Sequence, residues 1–108
     1  MDKPLRYLAL AAKSGAWVSG SDSCEKYIRS GKKGTVFFAK DASESTKRFF
    51  IQMTHSFSLP NYTTIYPKEM LAHATGRASP ISVGMVTNEG LTQAFLAAVN
   101  ALNTEEEE

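Results

Sequence analysis

The chain reads as one α/β/α sandwich around a small sheet of about four strands. Three observations carry that reading. Apolar residues recur at helical spacing in several separate segments, short β-rich runs fall between them, and the two kinds of segment alternate along the chain. At 108 residues, with 43% hydrophobic and 21% charged side chains, the composition suits one globular domain with its own core. There is no internal repeat and no dividing linker. The expected organisation is a single domain over residues 1–104 and an acidic tail over 105–108, read as disordered and solvated.

Leu5, Leu8, Ala9 and Ala12 recur at i, i+3, i+4 and i+7, the stripe of a first helix closed by Lys13-Ser14-Gly15. Ala16-Trp17-Val18 is a short extended piece. Trp17 is read as core or interface packing in preference to a base-stacking side chain. A second helix, Ser21 to Ser30, is entered through Gly20-Ser21-Asp22 and left through Gly31-Lys32-Lys33. Asp22, Lys26, Arg29 and Lys33 follow helical spacing on one face, with Cys24, Tyr27 and Ile28 opposite.

Thr35-Val36-Phe37-Phe38-Ala39 is a continuous apolar run between Gly34 and Lys40-Asp41, the pattern of a strand buried on both faces. Asp41-Ala42-Ser43-Glu44 resembles a capping box, with Ser43 a second candidate cap. Thr46, Phe49, Phe50, Met53 and Phe57 then form the expected buried stripe of a third helix, with Lys47 and Arg48 outward. After the turn Ser58 to Asn61, Tyr62 to Tyr66 is β-rich. Pro67 opens a short helix that ends at Gly76 and buries Met70, Leu71 and Ala74. Arg77-Ala78-Ser79-Pro80 is a loop and Ile81 to Val86 the last strand. Asn88 caps a closing helix lined by Leu91, Phe95, Ala98, Val99 and Leu102.

No run of 18 apolar residues is present, and the N-terminus lacks a long apolar segment, so neither a membrane span nor a signal peptide is expected. The single cysteine, Cys24, excludes an internal disulfide and fits a reducing cytoplasm. It is read as buried and inert. The formal net charge is +1, but the last four residues are all glutamate. Taking those 4 from the 11 acidic residues leaves 7 against 12 basic ones, so the body carries +5. Such a body suits nucleic acid as a partner.

Catalytic chemistry is hard to assemble. Gly31-Lys32-Lys33-Gly34 lacks the spacing and the strand-to-helix setting of a phosphate loop. His55 and His73 lie in different helices without metal-ligand spacing to Cys24. Asp22 and Asp41 each sit where a helix start favours a carboxylate. An enzyme using either aspartate has the weakest support, and no cofactor or metal is expected. Binding chemistry is more coherent. Lys26, Arg29, Lys32 and Lys33 can neutralise phosphates, and the polar groups and N–H donors of Gly20, Ser21 and Asp22 can reach backbone oxygens or base edges.

Several segments carry a resemblance to a known family: Leu5 to Gly15, Val18-Ser19-Gly20, Ile28 to Lys32, Phe38 to Lys47, and Leu71-Ala72-His73-Ala74-Thr75-Gly76. In order and spacing the chain resembles the bacterial YlxQ-like proteins, within the superfamily of ribosomal proteins that bind kink-turn RNA. The likeness runs from about Leu5 to Leu102. It implies a three-layer α/β/α sandwich with a mixed four-stranded sheet and RNA binding through two elements. One is the start of the second helix, where the superfamily carries Gly-Ala-Asn-Glu and then Lys three residues later. Here those positions are Gly20, Ser21, Asp22, Ser23 and Lys26. The other is the loop Gly76-Arg77-Ala78-Ser79-Pro80-Ile81, which in the superfamily covers the flipped-out nucleotide. Lys40 and Lys68 fall at positions approaching the same RNA.

The chain departs from the superfamily where guanine is read. Asp22 keeps an acceptor for guanine N–H but lacks the amide donor for O6, and Ser23 is too short to replace Glu. A bidentate base contact is worth about 1–3 kcal/mol, so the expectation is RNA binding with weakened kink-turn selectivity. The full expectation is a non-enzymatic, ribosome-associated, cytoplasmic protein that is a monomer when free and binds structured RNA. A protein-interaction module that kept the fold and lost specific RNA binding stays open beside it.

Overall fold

The computed structural model describes residues 1–107, with side chains described through residue 104. Its elements are α1 (Lys3–Lys13), β1 (Trp17–Ser19), α2 (Ser21–Arg29), β2 (Thr35–Phe38), α3 (Glu44–Ser56), β3 (Asn61–Thr63), α4 (Lys68–Ala74), β4 (Val83–Val86) and α5 (Glu89–Glu107). The four strands form one mixed sheet in the order β1-β4-β2-β3. β4 pairs antiparallel with both β1 and β2, while β3 lies parallel to β2. α1 packs against α5 and α4, and α2 against α3, to give the three layers.

The central strands β2 and β4 are buried at every position, which explains their unbroken apolar runs. Their alternation divides the core. Phe37 points to the α5 layer, where its ring meets Tyr62 and Phe95 edge-on at centroid distances of 5.9 and 5.1 Å. Val36 and Phe38 point to the other side.

Local chemistry sets the helix ends. Asp2 caps α1 by accepting from the Leu5 N–H at 3.2 Å, Ser43 caps α3 through the Thr46 N–H at 3.2 Å, and Asn88 accepts from the Leu91 N–H at 3.0 Å. The Asp2 carboxylate also accepts from the Tyr66 hydroxyl, 3.0 Å from each oxygen. Burial and that bond push the Tyr66 phenol well above its ordinary pKa. Asp2 therefore ties the start of α1 to the segment before α4. Asp2→Ala removes a cap and leaves the phenol unpaired. It should cost about 1–2 kcal/mol in urea unfolding, with Tyr66→Phe costing less.

Several expected stripes rotate. The buried residues of α1 are Pro4, Leu5, Leu8 and Ala11, while Ala9 and Ala12 are only partly covered. On α3, Phe50, Met53 and Thr54 are buried, but Phe49 is 43% exposed. Met70 on α4 is exposed to the same degree, and Ala72 is buried instead. Both cases arise because adjacent apolar residues on a helix lie about 100° apart, and only one of each pair faces the sheet. α5 runs through Glu107, three residues into the run expected to be a disordered tail. Glutamate is a good helix former, which lets the helix carry on. Glu108 and the side chains of residues 105–107 lie outside the described residues.

Candidate nucleic-acid interface

α2 begins without a side-chain cap. Gly20 is its N-cap, with φ 89° and ψ 161°, a conformation that L side chains adopt only under strain. The Gly20 N–H is spent on the Val83 carbonyl at 3.0 Å, which fixes the helix start against the entry to β4. The first N–H groups of α2 have no intrahelical acceptors, so they present donors and the positive end of the helix dipole.

The facing wall is the loop between α4 and β4. Gly76, at φ 72°, lets the chain leave α4 in a left-handed turn. The Arg77 N–H reaches the Ala72 carbonyl at 2.8 Å and the Gly76 N–H reaches that of His73 at 3.3 Å, a paired helix stop that aims the loop. Ser19 and Gly20 on one side and Arg77, Ala78, Ser79, Pro80 and Ile81 on the other enclose a groove of about 330 Å³. Two segments far apart in sequence therefore share one site.

The main chain of Lys68 and that of Ala39, next to Lys40, bond to the segment that follows the loop. The Ile81 N–H donates to the Lys68 carbonyl at 3.2 Å, and the Ala39 N–H to that of Ser82 at 2.8 Å. The Asp41 carboxylate accepts from the Lys68 N–H at 2.9 Å. Asp41 thus serves the start of α4 and not α3, a correction to the capping box expected from sequence. Ser43 already holds that place on α3, and the tertiary fold brings the α4 start within Asp41's reach.

The exposed face of α2 carries a second, smaller depression lined by Asp22, Glu25, Lys26 and Arg29. Arg29 Nε donates to the Glu25 carboxylate at 2.8 Å, so part of its charge is answered within the helix. Ser21 and Ser23 are exposed beside Asp22 on the first turn. Lys33 does not share this face, because α2 ends at Arg29 and helical spacing stops there. Its carbonyl instead accepts from the Tyr27 hydroxyl at 3.1 Å. Lys32 Nζ lies 5.5 Å from the Tyr27 ring centroid. Both lysines sit at the far end of a nine-residue helix, about 13 Å from its start. The structure brings Gly20, Arg77, Ala78, Ser79 and Pro80 into one groove, bonds the main chain of Lys68 to Ile81 at its edge, and leaves Lys32 and Lys33 apart.

Among the described residues no three His, Cys, Asp or Glu side chains come together as a metal site. No described helix is long and apolar enough to cross a membrane. Trp17 is buried and offers no face for stacking. Cys24 is fully buried, its Sγ donating to the Val18 carbonyl at 3.6 Å, and burial pushes its thiol up from 9.0 to about 12. At pH 8 the folded chain should therefore resist iodoacetamide while the urea-unfolded chain reacts. The same shift sets an alkaline limit. Below pH 9 both states hold the proton and the thiol is neutral to stability. Above it the unfolded thiol ionises first, so stability falls until the folded thiol ionises near 12. By about pH 10.5 the loss from this group is about 2 kcal/mol, and a Cys24→Ala variant should lack that part of the slope.

Fold and groove define a class: a small three-layer domain whose groove, with Arg77 in its lining, is built from a helix start and a loop. Residues 2–96 match the ribosomal protein L7Ae/L30e/S12e/Gadd45 family, and the chain belongs to that family. Among solved structures, a Bacillus halodurans protein of unknown function superposes with a TM-score of 0.80 at 24% identity, covering 93% of this chain and 99% of its own. The Giardia lamblia 15.5kD RNA binding protein superposes with a TM-score of 0.70 at 18% identity, covering 93% of this chain and 84% of its own. At these identities the likeness is one of fold. No curated protein matches the chain.

Proposed function

We propose that the chain is a non-enzymatic RNA-binding protein, cytoplasmic and ribosome-associated, that takes structured, kink-turn-like RNA as a monomer. The observation that carries this reading is the groove in which the uncapped start of α2 faces the loop Arg77 to Pro80. Backbone donors there suit a phosphate, and the loop's Ala78 and Pro80 give an apolar surface for an unpaired base. Lys26, Lys40, Lys68 and Arg77 supply the sequence-independent attraction to the RNA backbone. Family membership and the printed name of the Giardia lamblia neighbour support the same ligand class.

Titration of a kink-turn RNA and of a plain duplex across a salt series tests it. Both should bind at low salt and weaken steeply as salt rises. Failure of both RNAs to bind at low salt sinks the reading. A protein-interaction module is the second reading, favoured by the carboxylate of Asp22 at the helix start and by the Arg29–Glu25 pair, which each reduce the pull on phosphate. Size-exclusion chromatography separates the two. A monomer that shifts only with RNA supports the first, and a stable dimer without RNA supports the second.

A further inference from the structure

A second concavity, larger than the groove above, lies elsewhere on the chain. It lies between α1 and the end of α4, with a volume of about 530 Å³, and is lined by Arg6, Ala9, Leu10, Lys13, His73 and Ala74 among others. That size falls in the range of about 300–1,000 Å³ typical of binding pockets.

Four of its residues follow a helical rule. Arg6, Ala9, Leu10 and Lys13 stand at i, i+3, i+4 and i+7, so they form one outward stripe of α1. This stripe is distinct from the inward one of Leu5, Leu8 and Ala11. α1 therefore carries a second stripe, two apolar residues between two cations, which the fold covers only in part. Ala9 and Ala74 are small and leave a valley between the helices. Leu10, 48% exposed, stands on its wall. The rim is cationic: Arg6 and Lys13 are two turns apart, about 10 Å at the helical rise, and among the described residues no carboxylate lines the valley. Asp2, at the start of α1, is occupied by the Leu5 N–H and the Tyr66 hydroxyl.

We propose that this valley seats an acidic amphipathic helix of a partner protein. Its pattern is the complement of α1: carboxylates at i and i+7 facing Arg6 and Lys13, and apolar side chains at i+3 and i+4 against Ala9, Leu10 and Ala74. The floor decides against RNA. Arg6, Lys13 and His73 can donate to a phosphate, but the lining between them is alanine methyls and a leucine, which give phosphate no hydrogen bonds and are what a docked helix buries. The valley borders the RNA groove only where Gly76 passes to Arg77, so helix and RNA can be held together. This inference goes beyond the RNA reading and does not depend on it.

The test uses the full chain, nitrogen-15 labelled, and a synthetic helical peptide of about 16 residues with Glu, Leu, Leu and Glu at i, i+3, i+4 and i+7. Amide shifts should move in α1 and at the end of α4. The peptide should bind about tenfold or more tighter than a control with Lys for Glu, and Leu10→Glu should weaken it about tenfold while the melting temperature holds. The proposal is overturned if both peptides bind alike, if neither binds at about 1 mM, or if duplex RNA moves the α1 amides. It is also overturned if those amides move with the concentration of the chain alone, which would make a second copy the occupant. Leu10→Glu should bind RNA like the parent, so failure here leaves the RNA reading standing.

Discussion

Gly84→Val should cost about 3 kcal/mol or more and lower the melting temperature by about 15 °C. Gly84 is central in β4, opposite Phe37 of β2 and Ser19 of β1. The six-membered ring of the Trp17 indole lies directly over it, and any Cβ at this position would overlap that ring. Neither side can give way. β4 is hydrogen-bonded on both edges, and Trp17 is buried. The indole Nε1 makes no hydrogen bond to the protein, so shape alone holds the ring. The clash predicts coupling. Trp17→Ala removes the obstacle at a cost of about 3–5 kcal/mol, and the introduced valine side chain then enters part of the vacated space. The double variant should be more stable than the sum of the two single losses by at least about 1 kcal/mol. Strict additivity in denaturant unfolding would show that the ring does not set this position.

That contact marks where sequence reading stops. A glycine inside an apolar run signals a close approach, but not what approaches. Periodicity and caps are legible because they are local: the Asn88 and Ser43 caps, the paired helix stop at Gly76, and the unbroken run Thr35 to Ala39 all depend on neighbours within a few residues. The inward choice between adjacent apolar residues, as between Phe49 and Phe50 or Met70 and Leu71, depends on where the sheet lies and is not legible. The strand order is not legible from the residues either, and even the resemblance to a known family implies only a mixed four-stranded sheet.

The site divides in the same way. The polar, uncapped start of α2 is visible in Gly20-Ser21-Asp22, and the loop in Arg77 to Pro80. Their meeting is a consequence of β1 pairing with β4 and of the bond from the Gly20 N–H to Val83. No spacing rule reports such a contact. Helical spacing places Lys33 on the α2 face only if the helix extends past Arg29. The left-handed turn at Gly31 ends the helix and carries both lysines away. The α1–α4 valley escapes sequence reading because Ala9, at i+4 from Leu5, fits the inward stripe as well. The repeat Arg6, Ala9, Leu10, Lys13 is nonetheless present in the sequence to be read.

On the proposed RNA-binding reading, the largest functional change should come from placing the superfamily's Asn and Glu at positions 22 and 23. Asp22→Asn with Ser23→Glu places an amide and a longer carboxylate on the first turn of α2, beside the groove that holds Gly20. Each regained base contact is worth about 1–3 kcal/mol, so affinity for a kink-turn RNA should rise by about tens to a thousandfold. Affinity for plain duplex should stay nearly constant, because phosphate contacts do not read sequence. Lys26→Ala should act in the opposite sense, weakening both RNAs alike and reducing the salt slope by about one unit. Lys32→Ala, at the far end of the helix, should change either affinity far less. Unaltered discrimination in the double variant would mean that the α2 start does not face the bases. A Lys32→Ala loss equal to that of Lys26→Ala would place the RNA along the whole helix instead of at its start.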